Sequence, residues 1–161
     1  MLAFLFLDTL KDIYYAEKKI LTALPKMAEA ASHAELKKAF EQHLKQTEGQ
    51  VQRLETIFES LGEKPTGKKC VAMAGLIKEG DELIKEGLEP DVLDAALIGA
   101  AQKVEHYEMA GYGTARTWAK RLGEQEACEL LQQTLEEEAA TDQKLTKLAE
   151  PKINKEAMAA A

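Results

Sequence analysis

The chain has 161 residues, with 28 acidic side chains against 21 basic ones, and a formal net charge of −7. That balance speaks against a nucleic-acid binder, which needs a basic face, and gives no support for an anionic membrane surface as partner. Apolar residues at 45% and charged residues at 30% fit one soluble domain with a sizeable core, and the low counts of proline and β-branched residues favour helix nearly throughout.

The opening run Leu2-Ala3-Phe4-Leu5-Phe6-Leu7 is apolar but is interrupted by Asp8 and lacks a basic leader. It is too short to span a bilayer and reads as the first turns of a helix rather than a signal peptide. A first helix is expected from about Ala3 to Ala30. Its apolar stripe is Phe6, Leu10, Tyr14, Leu21 and Leu24, with Glu17 in the middle, and Pro25 is a place for a kink. Ser32 followed by Glu35 has the form of a capping box and is expected to open the second helix. That helix should run to about Leu61 on the stripe Leu36, Phe40, His43, Thr47, Val51, Leu54 and Phe58. His43 is central to this stripe. Glu48 lies roughly 110° from its centre and could reach the core only from the flank.

Gly62 to Gly67 is a break rich in turn residues. Cys70 to Glu86, with Met73, Leu76, Ile77 and Ile84, is expected to be a short crossing helix joining the second long helix to the third. The third opens at Asp91 and follows Leu93, Leu97, Ala101, Glu105, Glu108, Tyr112, Ala115 and Ala119. Gly99, Gly111 and Gly113 lie inside it, each at a cost of ~1 kcal/mol relative to Ala, which close helix packing would explain. After a tight turn at Gly123, a last long helix should run from about Glu124 to Ala149 on Leu131, Leu135, Glu138, Asp142 and Leu145. Pro151 should stop it. Residues 1–150 are then one helical domain, and 151–161 a frayed, flexible tail. Cys70 and Cys128, with no CxxC between them, read as buried free thiols in a reducing cytoplasm.

Four long amphipathic segments predict an antiparallel bundle about 40 Å long. Each carries ionisable residues where a core helix wants Leu or Ala, and an unpaired buried carboxylate costs several kcal/mol. Distance from the turns sets their levels. Glu108 precedes Gly123 by 15 residues and Glu138 follows it by 15, whereas Glu105 precedes it by 18 and Asp142 follows it by 19. Glu108 is thus expected opposite Glu138, and Glu105 opposite Asp142. In the first hairpin Glu17 lies at a level between His43 and Glu48; level alone does not choose, and stripe position favours His43. No Lys or Arg falls on these stripes, so cations from outside are the simplest neutralisation. Carboxylates with one imidazole suit iron, manganese or zinc. The candidate metal ligands are Glu17, His43, Glu105, Glu108 and Glu138, with Glu48 and Asp142 in a second tier. His106 falls off the stripe and is left for contact with a partner subunit. Tyr14 and Tyr112 are expected to be core aromatics, and Glu79 and Glu82 surface charges.

Several segments together carry a family resemblance: Tyr15-Ala16-Glu17-Lys18; Glu41-Gln42-His43-Leu44 with Thr47; Cys70 to Ile77; Asp94 to Ile98 with Gln102 to Glu108; and Leu135 to Glu138 with Asp142. Over about residues 4 to 150 the chain resembles the YciF-type bacterial stress proteins, within the ferritin-like superfamily of four-helix bundles. The resemblance implies a helical homodimer akin to the rubrerythrin-like di-iron proteins. Glu17 fits the usual first-helix ligand, Glu105-x-x-Glu108 the third-helix pair and Glu138 the fourth. The chain departs from the usual pattern at Thr141, where a histidine is common, and in the second helix, where Glu48 is followed by Val51 rather than His. The expectation is a cytoplasmic stress-response protein with a di-metal centre, iron first and manganese or zinc next, open to reaction with peroxide or O₂. The alternative is a metal-poor helical dimer that acts by interaction.

Overall fold

The computed structural model describes residues 1–160, and those residues are helical with short connections. The helices are α1 (Leu2–Ala30), α2 (Ala34–Ser60), α3 (Val71–Lys85), α4 (Pro90–Leu122), α5 (Gln125–Leu148) and α6 (Asn154–Ala159). The four long ones, α1, α2, α4 and α5, form the bundle. The α1–α2 and α4–α5 hairpins are joined by the connection that carries α3.

Register follows from contacts across the bundle. Ile13 meets Gly111, Tyr112 reaches Glu17, and Ser32 reaches Asp94, so α1 and α4 run antiparallel. Arg53 meets Glu137, Gln46 meets Thr141 and Gln42 meets Lys144, so α2 and α5 do the same. Gly111 is the one of the three α4 glycines at a tight crossing. A Cβ there would lie 3.4 Å from the Ile13 side chain, while Gly99 and Gly113 face open space. Close packing therefore explains Gly111 only. Gly123, at φ 79°, takes the left-handed conformation that closes α4 and turns the chain into α5.

The helices bury two apolar clusters. One centres on Phe6, Leu10, Ile13, Leu54, Phe58 and Leu131, the other on Ile20, Leu24, Phe40, Met73, Leu97 and Leu145. Between them, in chain position on every long helix, falls a layer of buried polar side chains. The crossing helix α3 adds Met73 to the second cluster. Cys70 caps it, its Sγ accepting from the Met73 N–H at 3.3 Å. Cys70 is buried and Cys128 half-buried, and both thiols are free.

Two local expectations are corrected. The capping box does not form: the cap position of α2 is His33, and no side chain of the helix's own first turn closes it. Asp94 of α4 does so instead. Its carboxylate accepts from the Ser32 N–H (2.9 Å), the His33 N–H (2.8 Å) and the Ser32 hydroxyl (2.9 Å). The Asp94 carboxylate is buried and held facing these groups, whereas the Glu35 carboxylate is exposed and left to water, so Asp94 takes the donors. Nor does the helical path stop at Pro151. A single π turn, Ala149–Ile153, passes the proline, which has no N–H to give to the ladder, and α6 follows. Ile153, 1% exposed, joins the second apolar cluster and holds this end down.

Candidate metal centre

Each long helix sends at least one ionisable side chain into the polar layer. Glu17 comes from α1, His43 from α2, Glu105 and Glu108 from α4, and Glu138 from α5. The spacing of three between Glu105 and Glu108 puts both on one helix face. The four glutamates are each 1% exposed and His43 5%. His43 Nε2 lies 2.8 Å from Glu105 Oε1. One ligand-type atom from each of His43, Glu105 and Glu138 lies within 4.8 Å of the other two. Glu17 lies against Glu108, and the Tyr112 hydroxyl donates to Glu17 Oε1 at 2.6 Å. The layer thus divides into a His43–Glu105–Glu138 group and a Glu17–Glu108 group. Glu138 acts electrostatically on Glu17 and Glu108 and so ties the two together.

Burial is the main force on all four carboxyls, because a low-dielectric interior disfavours the charged form. It raises Glu17 to about 7, helped by Glu138 and opposed by the adjacent Glu108, the Tyr112 hydroxyl and His43. It raises Glu105 to about 7, with Glu17 and Asp142 adding to the rise. Glu108 and Glu138 are driven well above the ordinary carboxylate range, first by burial and then by neighbouring glutamates. Tyr112 is likewise held far above the usual phenol range by burial and by Glu17 and Glu108.

The donor set is unbalanced. Both oxygens of Glu108 and of Glu138, one oxygen each of Glu17 and Glu105, and His43 Nδ1 are buried without a hydrogen-bond partner. Among the described residues the Lys and Arg ion pairs all lie elsewhere. Unpartnered buried polar atoms are rare in folded proteins and mark a missing proton, water or ion. Six unpartnered carboxylate oxygens, with the His43 imidazole whose Nε2 meets Glu105, fit the hard-to-borderline donor set of iron, manganese or zinc.

Residues 2–158 match the family model described as a domain of unknown function, DUF892. The chain belongs to that family. It is 51% identical over 153 residues to protein YciF of Escherichia coli K12, covering 94% of this chain and 92% of that protein. The crystal structure of the E. coli stress protein YciF superposes with a TM-score of 0.92 at 49% identity, covering 96% of this chain and 98% of that one. YcfI of Rhodopseudomonas palustris, for which a structural role has been put forward, superposes with a TM-score of 0.89 at 46% identity, covering 91% and 93% of the two chains. The family resemblance expected from the sequence is therefore met, as is the helical bundle with its crossing helix.

This family bundle sorts the remaining candidates. Glu48 is exposed on α2, outside the layer, which corrects its place among possible ligands; its angular offset carries it past the flank into solvent. Asp142 is at the rim, its side chain 20% exposed. It pairs with His106 at 3.2 Å, and His106 itself is 67% exposed. The level count needs correction by one helical turn: Glu105 pairs with Glu138, Glu108 with Glu17, and Asp142 with His106. Counting from Gly123 treated the hairpin as symmetric. Side chains lean along the helix axis and packed helices cross at an angle, so equal counts from the turn fix the level only to about one helical turn. Tyr112 is more than a core aromatic, since it binds a layer carboxyl, whereas Tyr14 turns outward to Glu55 at 3.0 Å. Sequence reasoning missed Gln50, which is fully buried beside Glu138. The signal was available, since Gln50 lies seven residues after His43 and three after Thr47 on the same face.

Proposed function

We propose that the polar layer is a di-metal centre, holding iron most readily and manganese or zinc as alternatives. The observation that supports it is the set of buried carboxylate oxygens left without partners beside the His43 imidazole, in a layer where no Lys or Arg pairs with a glutamate. Glu105, Glu138 and His43 would hold one ion, and Glu17 and Glu108 the other, with the glutamates between the two groups free to bridge. Bound there, a reduced iron pair would supply electrons to peroxide or O₂. The chain's own part is different. The two apolar clusters exclude water from the layer. Tyr112 fixes the orientation of Glu17 through its hydroxyl. Gln50 lies where its amide can orient Glu138, as partners behind a ligand commonly do. Likeness to the E. coli stress protein YciF supports a role in the stress response, and we take the protein to be a cytoplasmic homodimer.

Elemental analysis of protein purified without chelator tests the metal. Anaerobic titration of the stripped protein with Fe(II), followed by peroxide, tests the chemistry. About two irons per chain and oxidation faster than buffer alone support the reading. Fewer than about one ion per chain, with no oxidation above background, would sink it.

A second reading draws on the structural role suggested for the R. palustris relative. Here the layer shares protons, and the protein acts as a metal-poor dimer through its surface. It expects a melting temperature indifferent to iron, manganese, zinc and chelator.

A further inference from the structure

A cavity of about 130 Å³ opens beside the polar layer. Its inner end is bounded by His43 and Glu105. Its walls are apolar and come from all four long helices: Ile20 and Leu24 of α1, Phe40 of α2, Ala101 and Val104 of α4, and Leu145 of α5. Its outer end lies between α2 and α5, where Gln42, Gln46, Thr141 and Lys144 reach the surface. Two contacts cross that mouth. The Thr141 hydroxyl donates to Gln46 Oε1 at 3.3 Å, and the Lys144 ammonium donates to Gln42 Oε1. These are side-chain bonds at exposed positions, so they can open without disturbing the helices.

We propose that this cavity binds a short aliphatic carboxylate, with its hydrocarbon tail inside and its head group at the mouth. This ligand assignment rests on the di-metal reading for its purpose, since it seats an organic molecule against the centre's His43 and Glu105. The argument for size is volume. An apolar cavity of about 150 Å³ accepts a benzene-sized molecule, so this one takes a tail of about six carbons or slightly fewer. The argument for polarity is the wall, which offers no hydrogen-bond partner to a polar tail along its length. The argument for orientation is charge. In the metal-free protein the inner end has no Lys or Arg to pair with an anionic head, while the mouth supplies the ammonium of Lys144 and the amides of Gln42 and Gln46. A carboxylate at the mouth replaces Gln42 as the partner of Lys144 and gains a charge-assisted bond.

The test uses chelator-treated full-length protein, so that binding is read without metal. Hexanoate, 1-hexanol, hexylammonium and acetate are titrated, with calorimetry and methyl NMR as readouts. Hexanoate is expected to bind at least ten-fold more tightly than hexylammonium or acetate, with methyl shifts concentrated at Ile20, Leu24 and Val104. Lys144→Gln should weaken hexanoate several-fold and leave 1-hexanol unchanged. Ala101→Leu, which fills the cavity, should remove both by more than ten-fold. Should Ala101→Leu not fold, the wild-type methyl shifts decide the location by themselves. Hexanoate binding no tighter than acetate, shifts away from these methyls, or indifference to both substitutions would overturn the proposal. Metal content is measured on separate samples. A protein that takes hexanoate but no metal overturns the di-metal reading and leaves the ligand site standing; one that takes metal but no hexanoate does the reverse.

Discussion

Glu105 and Glu108 carry a stability cost that is measurable in the metal-free protein. Each is buried with at least one oxygen unpartnered, and nothing basic except His43 lies near them. Replacing both with Gln keeps the shape and removes the charge. In chelator at pH 8, the double variant should be more stable to urea than the parent by about 1–3 kcal/mol, and it should bind no iron. A variant that loses stability and keeps its metal would count against the ligand assignment. The pH dependence of the metal-free protein follows from the same residues. Glu17 and Glu105 titrate near 7 when folded and near their ordinary value of 4.5 when unfolded, so between those values the folded state binds more protons. Their contribution to stability is therefore fully present below about pH 4.5 and is lost as pH rises through about 7. Glu108 and Glu138, raised further, extend that loss upward. Melting temperature in chelator should fall from pH 6 to pH 8.5, and a rise over that window would contradict the raised carboxyls. Of this centre, the sequence revealed the five residues through their misplaced charge on apolar stripes. It did not reveal who pairs with whom, because pairing depends on the lean of the side chains and the crossing of the helices, which a stripe does not record. Nor did it reveal Gln50, whose neutral amide raises no alarm on a stripe.

At the scale of the helix, ends were harder to read than lengths. The long stripes place every long helix to within a few residues, because one face of each must be buried and the period of that face is fixed by helix geometry. The start of α2 was misread, because its cap comes from a residue 62 positions away from Ser32 in sequence. That account can be checked. Asp94→Ala should destabilise the protein by about 1–3 kcal/mol in urea, since it removes the acceptor of two backbone N–H groups and a hydroxyl. Glu35→Gln should change little; equal costs at Asp94 and Glu35 would restore the local capping box. The far end was misread for a related reason. Proline is a poor helix residue, but a single π turn lets the chain pass it, and burial of Ile153 rewards doing so. Truncation after Leu148 should cost at least about 1.5–3 kcal/mol, the usual gain from burying one such side chain. No change in melting temperature would show that α6 and the π turn hold nothing.

For the molecule as a whole, the polar layer between two apolar clusters would make a bound metal a structural as well as a chemical partner. An ion that binds only the folded state stabilises it by mass action, by about 2.7 kcal/mol at a hundred times its dissociation constant. Adding Fe(II) or Mn(II) should raise the melting temperature with concentration, and acidification should oppose the effect because protons compete for the same carboxyls. A melting temperature that does not respond would favour the metal-poor reading. Bundle topology was legible from four stripes and their connections, since short turns force antiparallel neighbours and the segment with Met73 is too long to be a turn. The link between Asp94 and Ser32 has a further consequence at this scale. It fastens the bend of one hairpin to the first turn of the other, at the end of the bundle where the α1–α2 connection is shortest. Two copies could trade hairpins only by breaking that fastening in both, so it guards against domain-swapped assemblies and keeps the whole polar layer on a single chain.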